Sequence, residues 1–411
     1  MINFIKRNYT VIVPVLLALV ACGFLYISLA LSMDITAIDY VPLHAAAELM
    51  NEKRDIYSTN AINEKLELFG YTKSANRYLY PPFPAAAIYL LSLAEIKTAV
   101  VVWTLICIVT LVASAYLLTF FFPAEKRSLI FLVVLISFVF FYPNWFSLIL
   151  GQINTIVLML MLGGIALLAK KYDFTAGALI AVAALIKIFP VIIIVYLLVT
   201  KRFRAVVGSI VIGLTSIIFT MMIGGFHAVH YYIKFAFNIL PSLLNGSYWI
   251  HGEIGPSLPI HIANNFNLPS VAYAMPWLVI ALYAILFIYI VKNSKKTQDG
   301  INLEISLLIL AALLFSNYIF HHHLIWALFP LVVLFRSALV HREKIQIILI
   351  IILFILLALP PWLINPLIQN INHEWTYQFD MQLYSLIILF LANIFQLRQY
   401  YIHPVNTMSN I

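Results

Sequence analysis

Runs of roughly 20 apolar residues recur from one end of the chain to the other, the length a helix needs to cross a hydrocarbon core. The composition agrees: 64% of the 411 residues are hydrophobic and only 10% are charged, where a soluble domain carries about 25% charged residues. Inside a bilayer no water satisfies backbone N–H and C=O groups, so a spanning segment is either a helix or part of a closed barrel. The runs here are continuous, unlike the short alternating strands of a barrel. The sequence therefore predicts an all-α fold, a polytopic transmembrane helical bundle forming a single integral membrane domain over residues 1–411. Helices are expected at about 8–31, 98–121, 128–146, 152–169, 174–188, 189–200, 204–224, 270–291, 302–319, 323–338, 344–360 and 381–398, about 12 in all and within a range of about 11–13.

The net charge of +8 has an ordinary meaning in such a chain, because Lys and Arg are retained on the cytoplasmic side of a membrane. It implies no nucleic-acid partner. Counted from an inside start, the expected helices leave Lys6, Arg7, Lys126, Arg127, Lys170, Lys171, Lys201, Arg202, Arg204, Lys292, Lys295, Lys296, Arg336, Arg342, Lys344 and Arg398 inside, 16 of the 24 basic residues. Both termini are then cytoplasmic. Lys6-Arg7 and the stretch up to Cys22 imitate a signal peptide, but the apolar run continues to Leu31, so an uncleaved first helix is expected. Cys22 and Cys107 lie within apolar runs and imply neither a disulfide framework nor a cysteine metal site. Residues 81–96, which open Pro81-Pro82-Phe83-Pro84, fit the charge scheme only as a short hairpin partner or re-entrant helix.

The polar sequence gathers on the other side. Residues 32–80 form an external first loop with seven of the chain's 16 acidic residues. Within it, the Ala/Glu/Leu/Met-rich stretch from His44 to Arg54 suggests a short helix along the membrane surface. A second external segment, 225–268, carries Asn245-Gly246-Ser247-Tyr248-Trp249 and His251-Gly252-Glu253. The chain shows no glycine-rich phosphate loop, nucleotide-binding cassette or internal repeat, which argues against an ATP-driven pump.

Several residues on that side could carry chemistry. Asp39, with Asp34 five residues earlier, lies just beyond the first helix, where a carboxylate facing a cavity could take a proton from a hydroxyl; a solvated interfacial carboxylate is the alternative. Lys187 stands where two short apolar runs meet, and an ammonium there needs a partner such as a lipid phosphate or must snorkel to the headgroups. Gly151-Gln152-Ile153-Asn154 is a polar turn whose amides could bind hydroxyls or cap the next helix. Three consecutive histidines, His321, His322 and His323, point about 100° apart on a helix and do not converge on one ion. Hydrogen bonding to phosphate or hydroxyl suits them better, and no metal is expected. Nine of the 11 histidines fall on this side. Arg77, beside Tyr78 and Tyr80, could clamp a phosphate or anchor the chain at the interface.

In order, these stretches resemble glycosyltransferase family 87, whose members use polyprenyl-phosphate mannose within the multi-helix GT-C class. The matching residues are Asp39-Tyr40 with Ala45-Ala46-Ala47, Tyr80-Pro81-Pro82, Gly151-Gln152-Ile153-Asn154, Ala176-Gly177 through Lys187-Ile188-Phe189-Pro190, and His321 to His323, spread over about the first 330 residues. Phe189 stands where the pattern would have a small polar residue, and the region after 340 offers no match. The resemblance implies a GT-C-type bundle and a membrane hexosyltransferase, with mannose the expected sugar, in a bacterial inner (cell) membrane with its site facing outward. Its partners would be membrane lipid, a polyprenyl-phosphate sugar donor and a glycolipid or glycan acceptor, and no cofactor is expected. By resemblance Asp39 is the general base of an inverting displacement. Lys187, Arg77, His322 and His323 would hold the donor phosphate, and Tyr40, Tyr80, Gln152, Asn154 and His321 the substrates.

A transporter or flippase of lipid-linked sugars is the competing expectation. That class usually shows internal repeats and ionisable residues near mid-membrane, whereas the charges here cluster at helix ends. A non-catalytic scaffold would leave the one-sided clustering of polar residues unexplained.

Overall fold

The computed structural model describes residues 38–71, 78–238, 257–265, 269–316, 319–360 and 381–402. The expected first helix at 8–31, Asp34, Arg77 and the stretches 245–249 and 251–253 lie outside the described residues. Every regular element among the described residues is helical. In chain order these are α1 (Tyr40–Asn51), α2 (Thr59–Leu68), α3 (Pro82–Ala87), α4 (Ile96–Leu118), α5 (Arg127–Phe140), α6 (Tyr142–Ile149), α7 (Asn154–Ala169), α8 (Asp173–Ile186) and α9 (Val191–Val199). They continue with α10 (Phe203–Asn238), α11 (Leu258–Asn265), α12 (Pro269–Asn293), α13 (Gln298–Phe315), a 3-10 stretch at His321–Ala327 leading into α14 (Leu328–Val340), α15 (Lys344–Ala358) and α16 (Met381–Ile402).

Among the described residues, five helical segments are long and apolar enough to cross a membrane: Ile96–Phe121, Phe203–Phe237, Gln298–Phe315, His321–Val340 and Met381–Ile402. The helix expected at 128–146 is instead two, α5 and α6, bent by 63°. Pro143 explains the break, since its ring nitrogen cannot donate to the carbonyl four residues back. That carbonyl, on Val139, accepts from the Trp145 indole at 2.5 Å, and the Phe138 carbonyl accepts from the Asn144 amide at 2.9 Å. The side chains after the proline thus satisfy the backbone that it leaves open.

Residues 81–96 hold only the six-residue α3 and a 3-10 turn at Leu91–Leu93. At 1.5 Å per residue α3 is about 9 Å long, too short to cross. The helix expected along the membrane surface is also different in kind. α1 starts earlier, at Tyr40, and ten of its twelve side chains are buried. The small side chains of Ala45, Ala46 and Ala47, all fully buried, let its neighbours approach closely. The helix α2 is tied to α1 by charge: Lys65 lies 3.0 Å from Glu48 and 2.5 Å from Glu52, and Arg54 reaches Glu64 at 2.5 Å.

The hairpin α8–α9 positions the site. α8 packs along α10 at a distance only small residues permit. A Cβ at Gly177 would stand 1.8 Å from the Ala205 carbonyl oxygen, and one at Gly208 would stand 2.1 Å from that of Phe174. This contact gives the Ala176-Gly177 pair its physical reason. The hairpin's base is closed by Arg202, which donates to Asp173 at 2.9 Å. Its tip, at Lys187, is about 21 Å away by the rise of α8, less than the roughly 30 Å of a hydrocarbon core.

Candidate functional site

The turn between α6 and α7 builds the centre of the site. Gly151 takes a φ of 66° there, a left-handed conformation that suits glycine. Its carbonyl accepts from the indole of Trp103 at 2.8 Å. The turn delivers Gln152, whose side chain is buried and joins three others. Its Nε2 donates to Asp39 Oδ2 at 2.6 Å, while its Oε1 accepts from the Tyr80 hydroxyl at 3.1 Å and from Lys187 Nζ at 3.4 Å. A carboxylate on one side and two donors on the other leave the amide a single orientation.

Asp39 precedes the first turn of α1 and is anchored by its own N–H, which donates to the Leu150 carbonyl at 3.0 Å. Burial pushes its carboxyl above the ordinary range, while the Gln152 hydrogen bond and the Lys187 charge pull the other way. Lys187 follows the last turn of α8 in extended conformation, which turns its side chain out of the helix. Its nitrogen lies 5.7 Å over the Tyr80 ring and 5.5 Å over that of Trp326, within cation–π range, and 2.9 Å from His323 Nε2. The N–H of Phe320 donates to Nδ1 of the same ring at 3.0 Å, which leaves the ring proton of the neutral imidazole on Nε2. With that tautomer the Lys187–His323 contact is a hydrogen bond only when Lys187 is a neutral amine accepting from Nε2; a charged Lys187 sets two donors face to face.

The structure thus brings together Asp39, Gln152, Tyr80, Lys187 and His323, from five separate parts of the chain. The other expected residues take other places. Tyr40 is fully buried, stacked on Trp103 with ring centroids 4.9 Å apart, and its hydroxyl meets His44 Nδ1 at 3.2 Å. The Asn154 amide donates to the His322 carbonyl at 3.1 Å, as Ser147 does at 3.2 Å, and so fixes the backbone of the histidine run. The His322 ring stacks on Phe320 at 5.4 Å. His321 turns aside to Gln382, at 2.5 Å. The three histidines therefore face three different partners.

Sequence reading missed Trp103 and Trp326. Trp326 lies flat on Phe189, with centroids 4.4 Å apart and planes within 5°. Phe189 therefore braces the ring that faces the ammonium, which gives a reason for an aromatic residue at that position. The one available signal was the spacing of Trp326 from the histidines, which puts it one turn beyond His322 and His323.

Helix order, apolarity and this cluster define the class: an integral membrane protein of several long apolar helices, with a carboxylate and a cation held by one amide at the tip of a helical hairpin. The model of glycosyltransferase family 87 matches residues 78–317, more than half of the chain, and the protein belongs to that family. It is accordingly a membrane glycosyltransferase, with a sugar donor and an acceptor as substrates. The matched region includes Tyr80, Gln152, Asn154 and Lys187, while Asp39, Tyr40 and the histidine run lie outside it. No curated protein and no solved structure matches the chain significantly.

Proposed function

We propose that the protein transfers a hexose, specifically mannose, from a polyprenyl-phosphate donor to a lipid- or glycan-linked acceptor. The transfer takes place at the outward face of a bacterial inner membrane, within a GT-C-type bundle of about 12 helices whose first external loop spans 32–80, with both termini cytoplasmic. Asp39 is the general base. The acceptor oxygen attacks the anomeric carbon from the side opposite the phosphate, and its proton passes to Asp39. The bond from that carbon to the phosphate oxygen breaks, and its electron pair leaves on the lipid phosphate. Lys187, with His323 and His322 beside it and Arg77 from the preceding loop, stabilises that phosphate. Tyr40, Tyr80, Gln152, Asn154 and His321 shape and support the substrate cavity. The chemistry asks for no cofactor or metal.

One observation carries this reading: the single amide of Gln152 joins Asp39 to Lys187. A proton acceptor and a phosphate-stabilising cation are thereby held in one frame, as a displacement with a developing anionic leaving group requires. The test is purified protein with radiolabelled polyprenyl-phosphate mannose and a panel of glycolipid acceptors. Label is expected in an acceptor. Transfer only from another lipid-phosphate sugar would overturn the mannose assignment, and transfer from none would overturn the donor class.

A further inference from the structure

At the base of the α8–α9 hairpin, away from the Asp39 cluster, the helices enclose a cavity of about 580 Å³. That is within the size range of small-molecule sites. Its lining includes five cations, Lys171, Lys201, Arg202, Arg204 and Lys296, against one carboxylate, Asp173. Arg202 is paired with Asp173 at 2.9 Å. Among the described residues no carboxylate lies in ion-pair contact with Lys171, Lys201, Arg204 or Lys296. The buried carboxylate of Glu304 feels the charge of Arg202, accepts from the hydroxyls of Tyr196, at 2.6 Å, and Tyr401, at 2.9 Å, and is in ion-pair contact with none of these four cations. The first turn of α10 also opens here at Phe203, and a helix N-terminus adds N–H donors that favour an anion.

Retention of Lys and Arg on one membrane side accounts for the sign of this charge but not for its concave arrangement. The surroundings specify the kind of anion. Phe203 lines the cavity and is exposed, and Tyr172, Phe174 and Leu198 beside it are exposed as well. Their neighbours α8 and α10 are apolar helices, so the cavity opens where charged helix ends meet an apolar flank. A headgroup phosphate fits the cations while its acyl chains lie along that flank. We infer that this cavity is a binding site for the phosphate headgroup of an anionic membrane phospholipid. The same hairpin carries Lys187 at its other end, so an occupied site braces the element that positions that residue.

The experiment is native mass spectrometry of the full-length protein released from nanodiscs of phosphatidylcholine doped with phosphatidylglycerol. The Lys201→Gln/Arg204→Gln double variant is compared with Lys344→Gln, an exposed lysine that does not line the cavity. Preferential retention of phosphatidylglycerol by the native protein is expected, about thirtyfold weaker in the double variant and unchanged in the control. Equal retention of the two lipids, or equal weakening in the control, would overturn the site. Displacement of the lipid by inorganic phosphate at matching concentration would show a soluble phosphate site and overturn the lipid assignment. Unchanged helical circular dichroism shows the double variant folded; where it does not fold, the comparison of phosphatidylglycerol, phosphatidylcholine and phosphate on the native protein decides.

Discussion

The two ends of the α8–α9 hairpin handle charge in opposite ways. At the tip, Asp39, Tyr80 and Lys187 all meet the one amide of Gln152, so both charged groups have a polar neighbour supplied by a different element. At the base, four cations ring a cavity with no carboxylate partner among the described residues. Paired groups held in a fixed frame suit bond rearrangement, because orienting them beforehand removes that task from the reaction. Unpaired cations around a cavity suit capture of an anion. A second contrast sharpens the first. Glu304 is as removed from water as any group in the fold, yet its oxygens are filled by two tyrosine hydroxyls, the arrangement of a structural carboxylate.

The contrast between the two carboxylates gives the largest expected effect. Asp39→Asn should lower sugar transfer by about a thousandfold with the melting temperature unchanged. Glu304→Gln should leave transfer within severalfold while lowering stability by about 1–3 kcal/mol, read by thermal unfolding in detergent. Reversed outcomes would exchange the two roles. Next, Lys187→Met should reduce transfer by about a hundredfold or more, and activity equal to the native protein would remove the cation from the mechanism. A smaller effect is expected between the ends of the hairpin. Gly177→Ala places a methyl against the Ala205 carbonyl, a backbone atom that cannot swing aside, and should destabilise the fold by about 1–3 kcal/mol; an unchanged melting temperature would contradict the close contact.

The smallest effect is a displacement of a pH profile. Asp39 accepts a proton only when ionised, and burial raises its pKa, so transfer should rise with pH as the carboxyl loses its proton and fall away on the acid side. The Gln152 hydrogen bond favours the ionised form. Gln152→Leu should therefore move the acid limb to higher pH, and an unmoved limb would detach the amide from the carboxylate.

Much of the helical pattern was legible in the sequence, because a continuous apolar run leaves the backbone little choice in a bilayer. The expected helices at 98–121, 152–169 and 344–360 find close counterparts in α4, α7 and α15. The break at Phe141 was missed although Pro143 was in view, since apolarity alone does not register a lost backbone donor. The burial of α1 was missed because an alanine-rich pattern looks alike on a helix packed inside the fold and on one lying along a membrane. For the site, residue type and order singled out Asp39, Gln152, Tyr80, Lys187 and His323. Their convergence was not legible, since Lys187 and His323 stand 136 positions apart and no local periodicity links them. The same limit applies to Tyr40 and Asn154, whose polar groups look equally available in sequence but meet His44 and the His322 carbonyl here.

The most direct test of the proposed site separates donor binding from transfer. Polyprenyl-phosphate mannose binding and single-turnover transfer are measured on the native protein and on Asp39→Asn. The account predicts native donor affinity in the variant with transfer slowed about a thousandfold, because the carboxylate acts on the acceptor proton and the phosphate is held by cations. Native single-turnover transfer by folded Asp39→Asn would contradict it.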